Sequence, residues 1–172
     1  GIDIGDHPPA SGGTNWVYNN TIEASGDHCF GNGETGVRMV INYANNHCIN
    51  SSSQCTTISA TCNNLGGNLS QTTAQANAAG YTSSQTYAYS PTSISSPTYH
   101  AGNNISGSCS GNLAALCNDT TYPTYDSVNH RAVMRTVVPR PSSGGWDIGA
   151  YQYSSSSGSL LNPPTGLAAL VQ

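Results

Sequence analysis

"NWVYNNTIEASGDHCFGNGETGVRMVINYANNHCINSSSQCTTISATCNNLGGNLS", residues 15–70, alternates short apolar runs with Gly, Asn and Ser turns and has no helical period. An Asn pair recurs beside an apolar position: Asn19 and Asn20 before Ile22, Asn45 and Asn46 before Ile49, Asn63 and Asn64 before Leu65. The spacings are unequal but fall in the range of one solenoid repeat. Short strands cannot bury an inner face alone, so such rungs stack, and carboxamides at equivalent corners bond into a ladder. Asn also accepts the left-handed backbone that a sharp corner requires. Stacked parallel rungs are therefore expected over about 14–70, and a β-sandwich with Asn-rich loops is the alternative that periodicity leaves open.

Composition narrows the function classes. The chain has 172 residues, enough for one domain with its own core, and only 7% of them are charged. Lysine is absent, and the four cations are Arg38, Arg131, Arg135 and Arg140. With a net charge of -4 the chain is a poor match for nucleic acid, and the clustered arginines are expected to pair locally with Asp119, Asp126 or Asp147. No window approaches the roughly 18 apolar residues of a membrane span. Nor does a charged segment followed by an apolar run open the chain, so the numbering is expected to start after processing or inside a longer gene product.

Six cysteines, Cys29, Cys48, Cys55, Cys62, Cys109 and Cys117, occur without a CxxC pair and read as disulfides of a secreted protein. Short loops favour Cys109 with Cys117 and Cys55 with Cys62, leaving Cys29 for Cys48, among about fifteen formal pairings.

Beyond the coils, Thr72 or Thr73 caps a short helix over about 72–80, and Gly80 ends it in the left-handed conformation. Residues 81–153 form a wrapping segment, in which Pro91 and Pro97 exclude a central strand and Leu113 to Leu116 make an apolar turn inside a disulfide loop. The domain thus covers 1–153, and 154–172 are a Ser-rich linker with an apolar tail, Leu167 to Val171.

The closing stretch "RPSSGGWDIGAYQY", residues 140–153, carries a second kind of information. Together with "VYNNTI", "GDHC", "LSQTTAQANAAGYTSS" and "LCNDTT", it resembles the C-terminal region of secreted bacterial right-handed parallel β-helix proteins. The "WDIGAY" block is similar to that of the choice-of-anchor Q group of the pectin-lyase-like superfamily. The resemblance runs from Asn15 to Tyr153. It implies an all-β fold, a short right-handed parallel β-helix (solenoid) with a C-terminal wrapping segment and one short helix, on an exported or surface-attached protein. Physically, Gly144 and Gly145 permit a sharp turn, Trp146 and Ile148 cover apolar area, and Asp147 pairs with Arg140 or accepts backbone N–H bonds. The alternative is a sugar-stacking platform of Trp146 and Tyr151.

Catalytic signals are sparse. Lyases of this fold cluster carboxylates around calcium with an Arg or Lys base, and no such cluster is evident. The densest polar chemistry is Glu23, Asp27, His28 and Glu34, with Arg38 the only cation nearby, so Asp27, Glu34 and Arg38 are the catalytic candidates. Two of Glu23, Asp27 and Glu34 could form a glycosidase pair, although the spacing selects none. His7, His47, His100 and His130 lack ligand spacing, and no metal or cofactor is expected. Sequons begin at Asn19, Asn50, Asn68, Asn104 and Asn118. Asn50, Asn68, Asn104 and Asn118 are glycosylation candidates, whereas a ladder role would exclude a glycan at Asn19.

The expectation is an extracellular structural or surface protein without catalytic activity. It self-assembles with copies of itself into a fibre, aided by the tail "GLAALVQ", or forms the end of a longer surface solenoid. The alternative is a polysaccharide-binding or polysaccharide-degrading, pectate-lyase-like module with extracellular polysaccharide as partner.

Overall fold

Nine short strands open the chain, and each of the first six pairs in parallel with the strand three places further on. They are β1 (Ile2–Asp3), β2 (Thr14–Tyr18), β3 (Thr21–Glu23), β4 (His28–Asn32), β5 (Val40–Ala44), β6 (His47–Ile49), β7 (Ser53–Thr57), β8 (Thr61–Asn64) and β9 (Leu69–Gln71). The computed structural model describes residues 2–4, 13–33, 35–36, 39–85, 87–120 and 123–154. Three parallel three-stranded sheets result, ordered β1-β4-β7, β2-β5-β8 and β3-β6-β9. The fold is all-β, and the Greek-key pairing of an antiparallel sandwich is not seen among these strands.

Alternation along the strands selects the core. Val17, Ile41, Tyr43, Ile22, Phe30 and Cys48 belong to one buried cluster, and the Phe30 and Tyr43 rings meet edge-on at 5.1 Å between centroids. Cys29 of β4 bonds Cys48 of β6 inside this cluster, Cys55 of β7 bonds Cys62 of β8, and Cys109 bonds Cys117. Three disulfides fit an oxidising, extracellular environment. Among the described residues no helix is long and apolar enough to cross a membrane.

Two of the three Asn pairs occupy equivalent corners. Thr21 pairs with His47 and His47 with Leu69, which aligns Asn20 with Asn46 and Asn68, and Asn19 with Asn45 and Gly67. Asn19 and Asn45 both have φ 57°, and Gly67 has φ 67°. The third pair, Asn63 and Asn64, stands instead opposite Asn42 and Tyr43 inside the strand, because "LGG" lengthens the last turn. Glycine is required at 67: a Cβ there would collide with Asn45 Oδ1 and the Asn103 backbone nitrogen.

After β9, helix α1 (Thr73–Ala78) begins with a capping box, in which Thr72 Oγ1 accepts from Gln75 N and Gln75 Oε1 accepts from Thr72 N. The chain then reaches Gly80, at φ 83°, and continues through turns to 3-10 helices at Ser106–Ser108 and Gly111–Cys117. An antiparallel hairpin, β10 (Thr124–Asp126) with β11 (Arg131–Val133), precedes the closing segment. Of the expected linker and tail, 154–172, all but Ser154 lie outside the described residues, Leu167 to Val171 included.

Candidate functional site

The closing segment is pinned by partners distant in sequence, Gly102, Asn45, Thr21 and His100. Trp146 and Gly102 exchange backbone hydrogen bonds at 2.7 and 3.1 Å, Gly149 N donates to Asn45 O at 2.7 Å, and Ala150 N donates to Thr21 Oγ1 at 2.9 Å. Buried Asp147 accepts from His100 N at 2.8 Å and from Tyr153 N at 2.5 Å. Arg140, also buried, donates to the carbonyls of Asn118, Asp147, Gly149 and Ala150. Burial pushes its guanidinium down to about 10, opposed by the charges of Asp119 and Asp147, so it remains a cation at neutral pH. Asp119 is saturated as well, accepting from Arg135 at 2.5 Å, Val138 N at 2.8 Å and Gln152 N at 3.1 Å. Arg131 completes the arginine pairing, 3.5 Å from Asp126.

This geometry corrects the stacking platform. Trp146 is 0% exposed, its Nε1 donates to Pro141 O at 2.8 Å, and the Arg140 guanidinium lies 5.3 Å from its ring centroid. No sugar can reach that indole. Tyr151 is half-buried beside Tyr87, with the Arg135 guanidinium 5.2 Å from its ring.

The catalytic candidates do not converge in what is described. Glu34 and Arg38 lie outside the described residues. Asp27 sits in an exposed turn 2.8 Å from His28 Nδ1, and its carboxyl is held below the ordinary range chiefly by the His28 backbone N–H. Glu23 instead faces the Tyr89 phenol, whose pKa is raised by burial and by that carboxylate. No group of three His, Cys, Asp or Glu among the described residues could hold a metal ion.

Two of the glycosylation candidates have engaged side-chain amides. Asn68 Nδ2 donates to Asn64 Oδ1 and Gly66 O, and Asn104 Nδ2 donates to Pro141 O and Gly144 O, so each amide already uses both hydrogens. A glycan would replace one of them. Asn50 and Asn118 remain exposed, while Asn19 is buried and its Oδ1 accepts from Asn45 Nδ2 at 3.1 Å.

What sequence reading missed is a cleft on the outer face of β2. Trp16 and Tyr18 alternate onto the same face, with ring centroids 5.6 Å apart in an edge-on contact. Across from them stand Leu113 and Leu116 of the Cys109–Cys117 loop, enclosing about 270 Å³ with Asn20 and Ser108. A neighbouring cavity of about 540 Å³ shares Tyr18, Asn20, Leu113 and Leu116 with it, and its wall includes Asn112, Asn118, Asp119 and Arg140. Trp16 is 57% exposed and Leu113 47%, whereas burial raises the Tyr18 phenol and keeps it protonated. The signal was legible in "NWVYNN": two aromatics two residues apart in a strand share a face.

Compared with protein-family models, curated proteins and solved structures, the chain matches none of them.

Proposed function

We propose that the chain is the closing module of an extracellular right-handed β-solenoid, a structural part whose three parallel sheets are the successive faces of the coil. The observation that carries this reading is the unlike state of the two ends of one carboxamide ladder. Asn46 donates from both N and Nδ2 to Asn68 Oδ1, at 2.9 and 3.1 Å, and Asn68 Nδ2 turns back onto Asn64 and Gly66 of its own corner. At the opposite end Asn20 donates in the same double fashion to Asn46 Oδ1, yet nothing among the described residues donates to Asn20 Oδ1. A preceding rung with Asn at that corner would fill the acceptor by repeating the pattern.

Side-chain polarity runs the same way. The middle rung offers Val40, Ile41, Tyr43 and Ile49, whereas the last offers Thr61, Asn63 and Asn64, all exposed, over the Cys55–Cys62 bond. Solenoids need such a polar terminal rung to stay soluble. Toward the other end, Val40 N donates to Gly13 O and Asn19 N to Ala44 O. Alternation then turns the Trp16 and Tyr18 N–H groups away from β5, and no described strand pairs with that edge.

A head-to-tail fibre requires two open ends, so one closed end favours the terminus of a longer stack over a filament. Light scattering with negative-stain microscopy tests this. Monomers, or pairs joined through the β2–β3 edge, are expected at high concentration. Making the last rung apolar by Thr56→Val, Thr61→Val and Asn63→Val should create a new associating end. Filaments from the unaltered chain would overturn the closing role and favour fibre formation.

A further inference from the structure

We propose that the cleft between the outer face of β2 and the Cys109–Cys117 loop binds an uncharged oligosaccharide, with one pyranose ring stacked on Trp16. This does not depend on the solenoid-end reading, since it concerns a lateral face of the sheet and not its edge.

The argument begins with the outward row of side chains across the middle sheet. Trp16 pairs with Asn42 and Asn42 with Asn63, so the indole is the one large apolar group in a row otherwise made of carboxamides. Folding does not bury it: Trp16 remains 57% exposed although Leu113, 47% exposed, lines the same cleft. Both walls are held in place before any ligand arrives. Tyr18 braces the indole edge-on, and a disulfide closes the 3-10 turn that carries Leu113 and Leu116. Such preorganisation lowers the ordering cost of binding.

The ligand's charge follows from what the walls have left to offer. Asp119 is 4% exposed and Arg140 6%, and their polar atoms are committed to one another's neighbourhood, as described above. Neither can supply a counter-charge without breaking the closing segment. Ser108, Asn112 and Asn118 carry side-chain groups with no hydrogen-bond partner among the described residues. An aromatic face bordered by spare hydroxyl and carboxamide groups matches a ligand with a C–H face and a rim of hydroxyls. The neighbouring cavity that shares Tyr18, Asn20, Leu113 and Leu116, about 540 Å³, has the size of a small-molecule cleft.

The two tryptophans make the test direct, because Trp16 is exposed and Trp146 is 0% exposed. Fluorescence titration of the full chain would use cellohexaose, chitohexaose and mannohexaose, with hexagalacturonate as the charged counterpart. At least one neutral hexasaccharide should shift the emission, Trp16→Ala should weaken its binding by about tenfold, and the Trp146 signal in Trp16→Phe should not respond. Leu113→Asp, on the opposite wall, should weaken the same sugar while leaving the thermal midpoint unchanged. No response to any of the three neutral sugars, binding that survives Trp16→Ala, or equal binding of hexagalacturonate would overturn the assignment.

Discussion

Asn45 and Asn103, 58 residues apart, bond to each other twice: Asn45 Nδ2 donates to Asn103 O at 2.8 Å, and Asn103 N donates to Asn45 Oδ1 at 2.7 Å. The side chain thereby imitates a strand partner, and it ties the turn between β5 and β6 to the segment that follows α1. The same Nδ2 reaches Asn19 Oδ1 at 3.1 Å, and Asn45 itself is 0% exposed.

Replacing Asn45 should therefore be among the most damaging single changes at any corner. Asn45→Ala strands Asn103 N–H, Asn103 C=O and Asn19 Oδ1, and puts a Cβ residue without Asn's tolerance at φ 57°. The expected loss is about 4 kcal/mol in denaturant unfolding. Asn45→Gly relieves the backbone but not the orphaned groups, so it should recover only about 1 kcal/mol of that loss. Equal stability of the Gly variant and the parent would contradict the role given to the carboxamide.

The corner also shows what the sequence made legible. Parallel stacking and the first two ladder positions follow from Asn pairs set at repeat-sized intervals. The third does not, because "LGG" shifts the register and Gly67 takes the left-handed place that Asn19 and Asn45 hold. Sequence spacing cannot reveal such a shift, since Asn63 and Asn64 look like the other pairs until strand partners are known. Trp146 failed as a stacking residue for a related reason: an aromatic beside two glycines reads equally well as an exposed platform or a buried peg. The peg is selected by contacts with Pro141 and Arg140. Trp16 is hard to single out from the sequence because its neighbour in β2, Val17, does belong to the core.

The three disulfides should differ in accessibility. Cys29 and Cys48 are both 0% exposed, whereas Cys55, Cys62, Cys109 and Cys117 are only partly buried. Mild reductant on the folded protein, followed by alkylation and mass mapping, should label the last four first. Removing Cys29–Cys48 by paired Ala substitution should cost about 3 kcal/mol from loop closure over 19 residues, before counting the two core sites left short of volume. The 7-residue Cys55–Cys62 loop should cost about 2.5 kcal/mol.

Arg140 should not tolerate lysine. Its guanidinium spans carbonyls of Asn118, Asp147, Gly149 and Ala150 in one fork, and a compact ammonium cannot reach that set. Arg140→Met additionally removes the cation between the buried carboxylates of Asp119 and Asp147. We expect Arg140→Met to cost about 4 kcal/mol and Arg140→Lys to restore less than half of it. Unfolding followed by the fluorescence of Trp146 in a Trp16→Phe background would report both values at the segment concerned.

His47 should make the fold acid-sensitive across a defined window. The ring is 0% exposed, packs edge-on against Tyr81 at 5.1 Å and bonds Gln71 Oε1 through Nε2 at 2.7 Å, while buried Nδ1 has no partner among the described residues. Burial lowers its pKa from 6.5 to about 4, with the Gln71 bond opposing. The unfolded chain then binds a proton below pH 6.5 that the folded chain refuses until about pH 4. Stability contributed by the neutral ring is therefore complete above pH 6.5, falls as pH drops toward 4, and levels off below that. The full span corresponds to about 3 kcal/mol. His47→Phe keeps a ring against Tyr81 and removes the titration, so its unfolding free energy should lose that slope between pH 6.5 and 4. An unchanged slope in the Phe variant would assign the acid sensitivity to other groups.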